Sequence, residues 1–339
     1  MNQDRILLSH GSGGKLMHEL VDEIFRERFH NSILDEMSDS AILEQQGDSE
    51  SELCFTTDSY VVNPIFFPGG NIGKLAVCGT VNDLSVEGAK PLFLSCAVIV
   101  EEGFEKKHLE KIADSMASTA REAGVKIVTG DFKVVDKGKA DKIFINTAGI
   151  GIRRKSTSSH EKEIRPGDKI LINGNIGEHS VAVLAARETF ALETSVKSDC
   201  APLNHLIEIA LASGAEIKFM RDPTRGGAAA TLNEVVEKRD FGIRLEEDEI
   251  PVSEETSAAC EILGFDPLFM ANEGKVILIA NSEQADKLLS ALKEHPLGRE
   301  SRIIGEVVAE NPGKVTMRTG IGGERIIEMP VGEQLPRIC

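Results

Sequence analysis

Residues 152–166, IRRKSTSSHEKEIRP, form a polar, charged stretch poor in apolar side chains, with helix and strand signals alternating on both sides of it. This break constrains the fold more than any other feature, because each side must bury a core of its own. A single core rarely grows beyond about 250–300 residues, and the chain has 339. Two domains are expected, residues 1–152 and 153–329, followed by a tail, 330–339. Before the break, Leu16, Leu20, Val21, Ile24 and Phe25 mark one face of a helix opening after Gly14. Strands are predicted at 53–57, 92–100, 126–129 and 142–151, and helices at 71–89 and 104–123. Beyond it, strands are predicted at 169–172, 216–219, 243–245, 275–280 and near 302–309, 315–318 and 325–328. Helices at 178–188, 203–212, 226–237, 253–263 and 283–294 alternate with them. Both halves read as mixed α/β or α+β.

Composition excludes several functions. A net charge of −17 opposes binding to nucleic acid or anionic membranes. With no Trp and one Tyr, stacking platforms for single strands are absent. No run approaches the roughly 20 apolar residues of a membrane span, and the first residues lack the apolar stretch of a signal peptide. The six cysteines, Cys54, Cys78, Cys96, Cys200, Cys260 and Cys339, contain no CxxC pair. A cytoplasmic, reduced protein is expected.

Three features carry chemistry. The final residue, Cys339, ends a stretch in which Pro330, Gly332 and Pro336 rule out a regular helix. Nine residues beyond Pro330 give the thiol a reach of roughly 30 Å. The loop Ser9–Lys15 places Gly11, Gly13 and Gly14 at a helix start, where backbone N–H groups can cradle phosphate. Neither the Walker A nor the Rossmann spacing is present. Acidic residues recur beside apolar runs at turns: Asp58, Asp83, Asp131, Asp222 and Glu273. Carboxylates are hard ligands suited to Mg²⁺; each alone is more often a helix cap or turn former, and it is the set together with the Gly-rich loop that points to a metal–nucleotide site.

Seven segments in order give these features a family. They are HGSGGK at 10–15, TTDSYVV at 56–62, GTVNDLSVEGA at 79–89, GDFKVV at 130–135, RDPTRGG at 221–227, NEGK at 272–275 and PRIC at 336–339. With these the chain resembles the HypE family of hydrogenase maturation factors, within the superfamily of aminoimidazole ribonucleotide synthetase and selenophosphate synthetase. The resemblance implies a two-domain synthetase-like fold with a mobile C-terminal tail. It also implies a homodimer whose N-terminal sheets pair into a barrel, with the segment around Gly130 and Asp131 reaching the neighbour's nucleotide.

The implied reaction is an ATP-dependent dehydration. A partner carbamoyltransferase, HypF, loads the terminal Cys, and the carbamoyl group loses water to become a thiocyanate. The cyanide then passes through a HypC–HypD complex to the iron of [NiFe]-hydrogenase. Within that scheme Asp58, Asp83 and Asp222 are the expected Mg²⁺ ligands. Gly11, Gly13, Gly14, Lys15, Thr57, Asn82, Gly130, Asp131 and Arg225 are expected around ATP, and Cys339, Glu273, Lys133 and His10 at the reacting group. Glu273 is the candidate base and Lys133 the candidate cation for the transferring phosphoryl. The rivals are a selenophosphate-synthetase-like or thiamine-phosphate-kinase-like enzyme, neither of which explains PRIC, and a non-catalytic thiol carrier.

Overall fold

The computed structural model describes residues 5–44, 50–154, 163–187 and 193–331. The N-terminal segment enters through a 3₁₀ turn, Leu8–Gly11, and α1 (Lys15–Leu20), which runs through a π-helical turn, Val21–Arg26, into α2 (Glu27–Phe29). Strands β1 (Ala41–Glu44) and β2 (Ser51–Tyr60) follow, then a short pair, β3 (Phe66–Phe67) and β4 (Gly70–Asn71). After them come α3 (Ile72–Val86), β5 (Lys90–Glu101), α4 (Lys106–Glu122), β6 (Lys126–Val135) and β7 (Ile143–Arg154).

The first sheet has the order β1-β2-β7-β5-β6. Only β5 and β6 run parallel, joined by the crossover helix α4. Alternation along β2 turns Cys54, Thr56 and Tyr60 into the protein and Phe55, Thr57 and Ser59 outward. Helix α3 is apolar all round, and 13 of its 15 residues are buried, as expected of a helix inside a core. Its small residues permit this. A Cβ on Gly79 would strike the Tyr60 hydroxyl, and one on Gly73 would strike Ile112. Among the described residues no helix covers the opposite face of the sheet, and Phe55, Phe93, Ile99 and Ile150 are exposed there.

The second half comprises β8 (Lys169–Ile172), α5 (Glu178–Ala185), α6 (Asn204–Ala212), β9 (Ile217–Arg221), α7 (Gly227–Val236) and β10 (Gly242–Glu246). It continues with α8 (Glu254–Leu263), β11 (Ile277–Ala280), α9 (Ala285–Lys293), β12 (Arg302–Val308), β13 (Val315–Arg318) and β14 (Glu324–Ile327). Its sheet has the order β14-β13-β10-β12-β8-β11-β9. Both faces are covered. Ile170 and Ile172 join Ala229 and Leu232 of α7 in one core, while Leu171 joins Leu206 of α6 and Leu288 of α9 in another. Val86, at the end of α3, belongs to that second core and ties the halves together.

Two features depart from expectation. The N-terminal segment crosses to the second half: Gly13 packs on Arg225, His18 lies 3.3 Å from Glu234, and Asp39 pairs with Arg221 at 3.0 Å. Residues 193–203 have no regular secondary structure, yet Val196, Cys200, Ala201 and Leu203 are buried. The Ser198 N–H donates to the Pro68 carbonyl at 2.8 Å, so this stretch fastens one half to the other.

Candidate active site

The carboxylates meet where the two halves face each other. Asp83 stands near the end of α3, Asp58 on the inward face of β2, Asp222 just beyond β9 and Glu273 just before β11. Burial, and then the charges of Asp222, Asp39 and Asp58, hold the Asp83 carboxyl well above the usual carboxylate range. Burial and then Asp39 push Asp222 up to about 7. Glu273 is also raised well above its ordinary value, by burial and then by Cys200, Asp222, Asp199 and Asp58. Few neutralising partners intervene. Thr56 Oγ1 lies 3.0 Å from Asp83 Oδ2 and from the Asp39 carbonyl, and Arg221 sits between Asp39 and Glu234 at 3.0 and 2.7 Å.

Asp222 Oδ2 is buried and meets no hydrogen-bond donor among the described residues. An anionic oxygen in that state calls for a cation. Among the described residues no three carboxylate, imidazole or thiol groups close around a single ion. The unpartnered Asp222 oxygen beside further carboxylates fits Mg²⁺, which usually takes one or two carboxylates and completes its octahedron with water and phosphate oxygens.

Beside the carboxylates lies a cleft of about 790 Å³, lined in part by Gly13, Lys15, Asp39, Asp222, Arg225 and Met329. The Gly-rich loop forms one wall because glycine alone fits there. Gly13 has φ +77° and abuts Arg225, while a Cβ on Gly14 would strike the carbonyl oxygen of Pro330. That carbonyl accepts the Lys15 N–H at 3.2 Å. The chain therefore leaves its last described residues at the loop expected to hold phosphate. Cys339 itself lies outside the described residues.

Several expected residues stand elsewhere. Asn82 is fully buried and does not face the cleft. Its Oδ1 accepts the Leu203 N–H at 2.8 Å, and its Nδ2 donates to the carbonyls of Ala201 and Glu273 at 3.3 and 3.4 Å. Its work is to hold backbone, and its neighbour Asp83 supplies the carboxylate. Thr57 alternates to the open face, where its hydroxyl donates to the Thr147 carbonyl at 3.2 Å; Thr56 takes the inward place. His10 does not line the cleft, and its Nδ1 accepts the Leu7 N–H at 2.9 Å. Gly11 lies in the 3₁₀ turn that leads into the loop.

Gly130, Asp131 and Lys133 do not join the carboxylates within one chain. They lie on β6, the far edge of the sheet from β2, with β7 and β5 between. Three strand spacings put them roughly 14 Å away. Their register also aligns Asp131 with Ala97, Asn146 and Ser59, so Asp131, and Lys133 two residues on, project from the open face while Asp58 points inward. Lys133 Nζ pairs with Asp131 at 2.7 Å, both exposed. Burial raises the Asp39 carboxyl against the opposing charge of Arg221, and the Asp39 charge in turn helps raise Asp83. Asp39, Thr56, Arg221 and Asp199 are thus site residues that sequence reasoning did not find. Arg221 and Thr56 carried a signal, as the first residues of RDPTRGG and TTDSYVV.

Residues 37–153 match the model of the AIR synthase related protein N-terminal domain, and residues 165–318 that of the corresponding C-terminal domain. The carbamoyl dehydratase HypE of Rhizobium leguminosarum bv. viciae is 50% identical over 336 residues, covering 99% of this chain and 95% of that protein. The crystal structure of a HypE–HypF complex superposes with a TM-score of 0.85 at 48% identity, covering 92% of this chain and 99% of that one. A HypE crystal structure in complex with ATP gives a TM-score of 0.80 at 46% identity, covering 99% of this chain and all (100%) of that one. Identity at half the positions, sustained along both domains of a shared fold, shows that the chain belongs to the HypE family of carbamoyl dehydratases.

Proposed function

We propose that this protein is the carbamoyl dehydratase of [NiFe]-hydrogenase maturation, acting with ATP on an S-carbamoyl group carried by its own Cys339. The observation that carries this reading is the meeting of tail root, Gly-rich loop and carboxylates: Pro330 is bonded to Lys15 at the edge of the cleft that Asp222 lines. Residues 330–339 serve as the carrying arm of an ATP-binding first domain (1–152) and an α+β second domain (153–329). HypF loads the thiol, and a HypC–HypD complex receives the cyanide.

Loss of water from a carboxamide requires a better leaving group than hydroxide. The carbamoyl oxygen attacks the γ-phosphorus, ADP departs, and the oxygen later leaves as phosphate while the nitrogen gives up two protons. The products are the S-bound nitrile, ADP and phosphate. Such a transfer depends mainly on positioning and charge neutralisation. Asp58, Asp83 and Asp222 would hold Mg²⁺, which supplies charge neutralisation at the phosphates. The loop N–H groups, Lys15 and Arg225 orient the nucleotide. Glu273 takes a proton from nitrogen, a role helped by the burial that raises its affinity for one.

Lys133 completes the site from a second copy. The open face of the first sheet, with Phe55, Ile150 and Phe93 in one row, is a large exposed apolar surface suited to a twin. We place the protein in the cytoplasm, where a reducing environment suits the five free cysteines among the described residues. No helix of the described residues is long and apolar enough to cross a membrane.

Intact mass spectrometry after incubation with HypF, carbamoyl phosphate and ATP tests the reading. A carbamoyl adduct on the C-terminal peptide, followed by loss of one water, is expected. Cys339→Ala should show neither mass change while keeping its ATP affinity. An adduct that forms but never loses water would leave the protein a thiol carrier.

A further inference from the structure

The peptide group of Glu273 is gripped from both sides by Asp199, Ala201 and Asn82. Its N–H donates to Asp199 Oδ1 at 3.1 Å, and the next N–H, that of Gly274, donates to Asp199 Oδ2 at 3.2 Å. Its carbonyl accepts from the Ala201 N–H at 3.3 Å and from Asn82 Nδ2 at 3.4 Å. The Asp199 side chain is 1% exposed and pairs with Lys275 Nζ at 3.1 Å. Lys275 Nζ in turn lies 3.8 Å from Glu178. Gly274 packs so closely on the Asp199 carbonyl that no side chain fits.

A buried carboxylate with two N–H donors and an ammonium is fully compensated, and bonds to a charged acceptor are the strong ones. Asp199 is therefore a rigid fixture, and both residues it holds by the backbone are Glu273 and its neighbour. It comes from residues 193–203, which secondary structure does not restrain. Their fixation rests on bonds such as Ser198 N–H to the Pro68 carbonyl and Cys200 N–H to Ser198 Oγ at 3.1 Å. Asn82 adds the link to α3, so the backbone that carries Asp83 and the backbone that carries Glu273 are held by one side chain.

We infer that Asp199 is a positioning residue for dehydration: it fixes the backbone at Glu273 so that this carboxylate stands at the carbamoyl nitrogen. The inference rests on the reading of Glu273 as proton acceptor. In Asp199→Asn one oxygen becomes an NH₂ that faces N–H or ammonium donors, and half of the grip is lost. Displacement of a catalytic group by about 1 Å costs about 10²-fold in rate.

The test is single-turnover dehydration of the carbamoylated protein, followed by loss of water in the intact mass. Asp199→Asn is expected to slow it about 10²-fold with ATP affinity unchanged, and Asp199→Asn/Glu273→Gln to be no slower than Glu273→Gln alone. A folded Asp199→Asn protein with the wild-type rate overturns the inference, as does a parallel loss of ATP binding and rate. Lys275→Gln loosens the same grip while keeping Asp199, and serves if the first variant does not fold. Its expected slowing is about tenfold, and a wild-type rate there counts equally against the inference. Wild-type dehydration by Glu273→Gln would instead remove the base reading, whatever Asp199 does.

Discussion

Asp222 has one buried oxygen without a donor among the described residues, and burial first, then the charge of Asp39, pushes its carboxyl up to about 7. An unfolded Asp ionises near 3.9. Between that value and about 7 the folded protein keeps a proton the unfolded chain has lost, so stability falls as pH rises through this window. In Mg²⁺-free buffer the Tm is therefore expected to fall between about pH 4 and about pH 7. Asp222→Asn should flatten that slope and exceed the wild type in Tm at the upper end. An identical slope, measured by calorimetry, would mean that Asp222 is not under this strain. Asp58, Asp83 and Asp222 could be read from the sequence because each sits at the end of an apolar run. Asp39 could not, since Met-Ser-Asp-Ser carries no such mark, and Asp199 lies in a stretch without periodicity. The choice between Thr56 and Thr57 depends on the phase of one strand, which only the pairing of β2 with β7 fixes.

Helices and strands were the most readable level. Apolar periodicity places α3, α4 and most strands of both sheets within a few residues, but it gives no strand at β1 (Ala41–Glu44). A second difference is β6, expected to stop at Thr129 but running on to Val135 because its pairing with β5 continues across the GDFKVV segment. What periodicity does not reveal is that Gly13, His18 and Asp39 carry the N-terminal segment onto the second half, since that depends on single contacts. The tightest is Gly14 against Pro330. A Cβ there displaces the Pro330 carbonyl and frees the Lys15 N–H. Gly14→Ala is expected to raise hydrogen exchange at Lys15 by about tenfold and to slow dehydration through loss of the tail's fixed root. Unchanged exchange would show that the loop yields without releasing the tail.

The whole molecule has its proposed reacting groups on two surfaces that one chain cannot bring together. Asp58, Asp83, Asp222 and Glu273 face the junction of the halves, while Asp131 and Lys133 project from the open edge strand. In the proposed dimer a second copy packed on the open sheet would resolve this separation, giving each site carboxylates from one protomer and Lys133 from its partner. The most direct measurement mixes two inactive proteins, Asp83→Asn and Lys133→Ala, under conditions that exchange subunits, and follows dehydration of the tail. Half of the dimers then hold both variants, each with one intact site, so roughly a quarter of wild-type activity is expected to return. A mixture that forms mixed dimers and stays as inactive as its components would contradict a site shared between two chains.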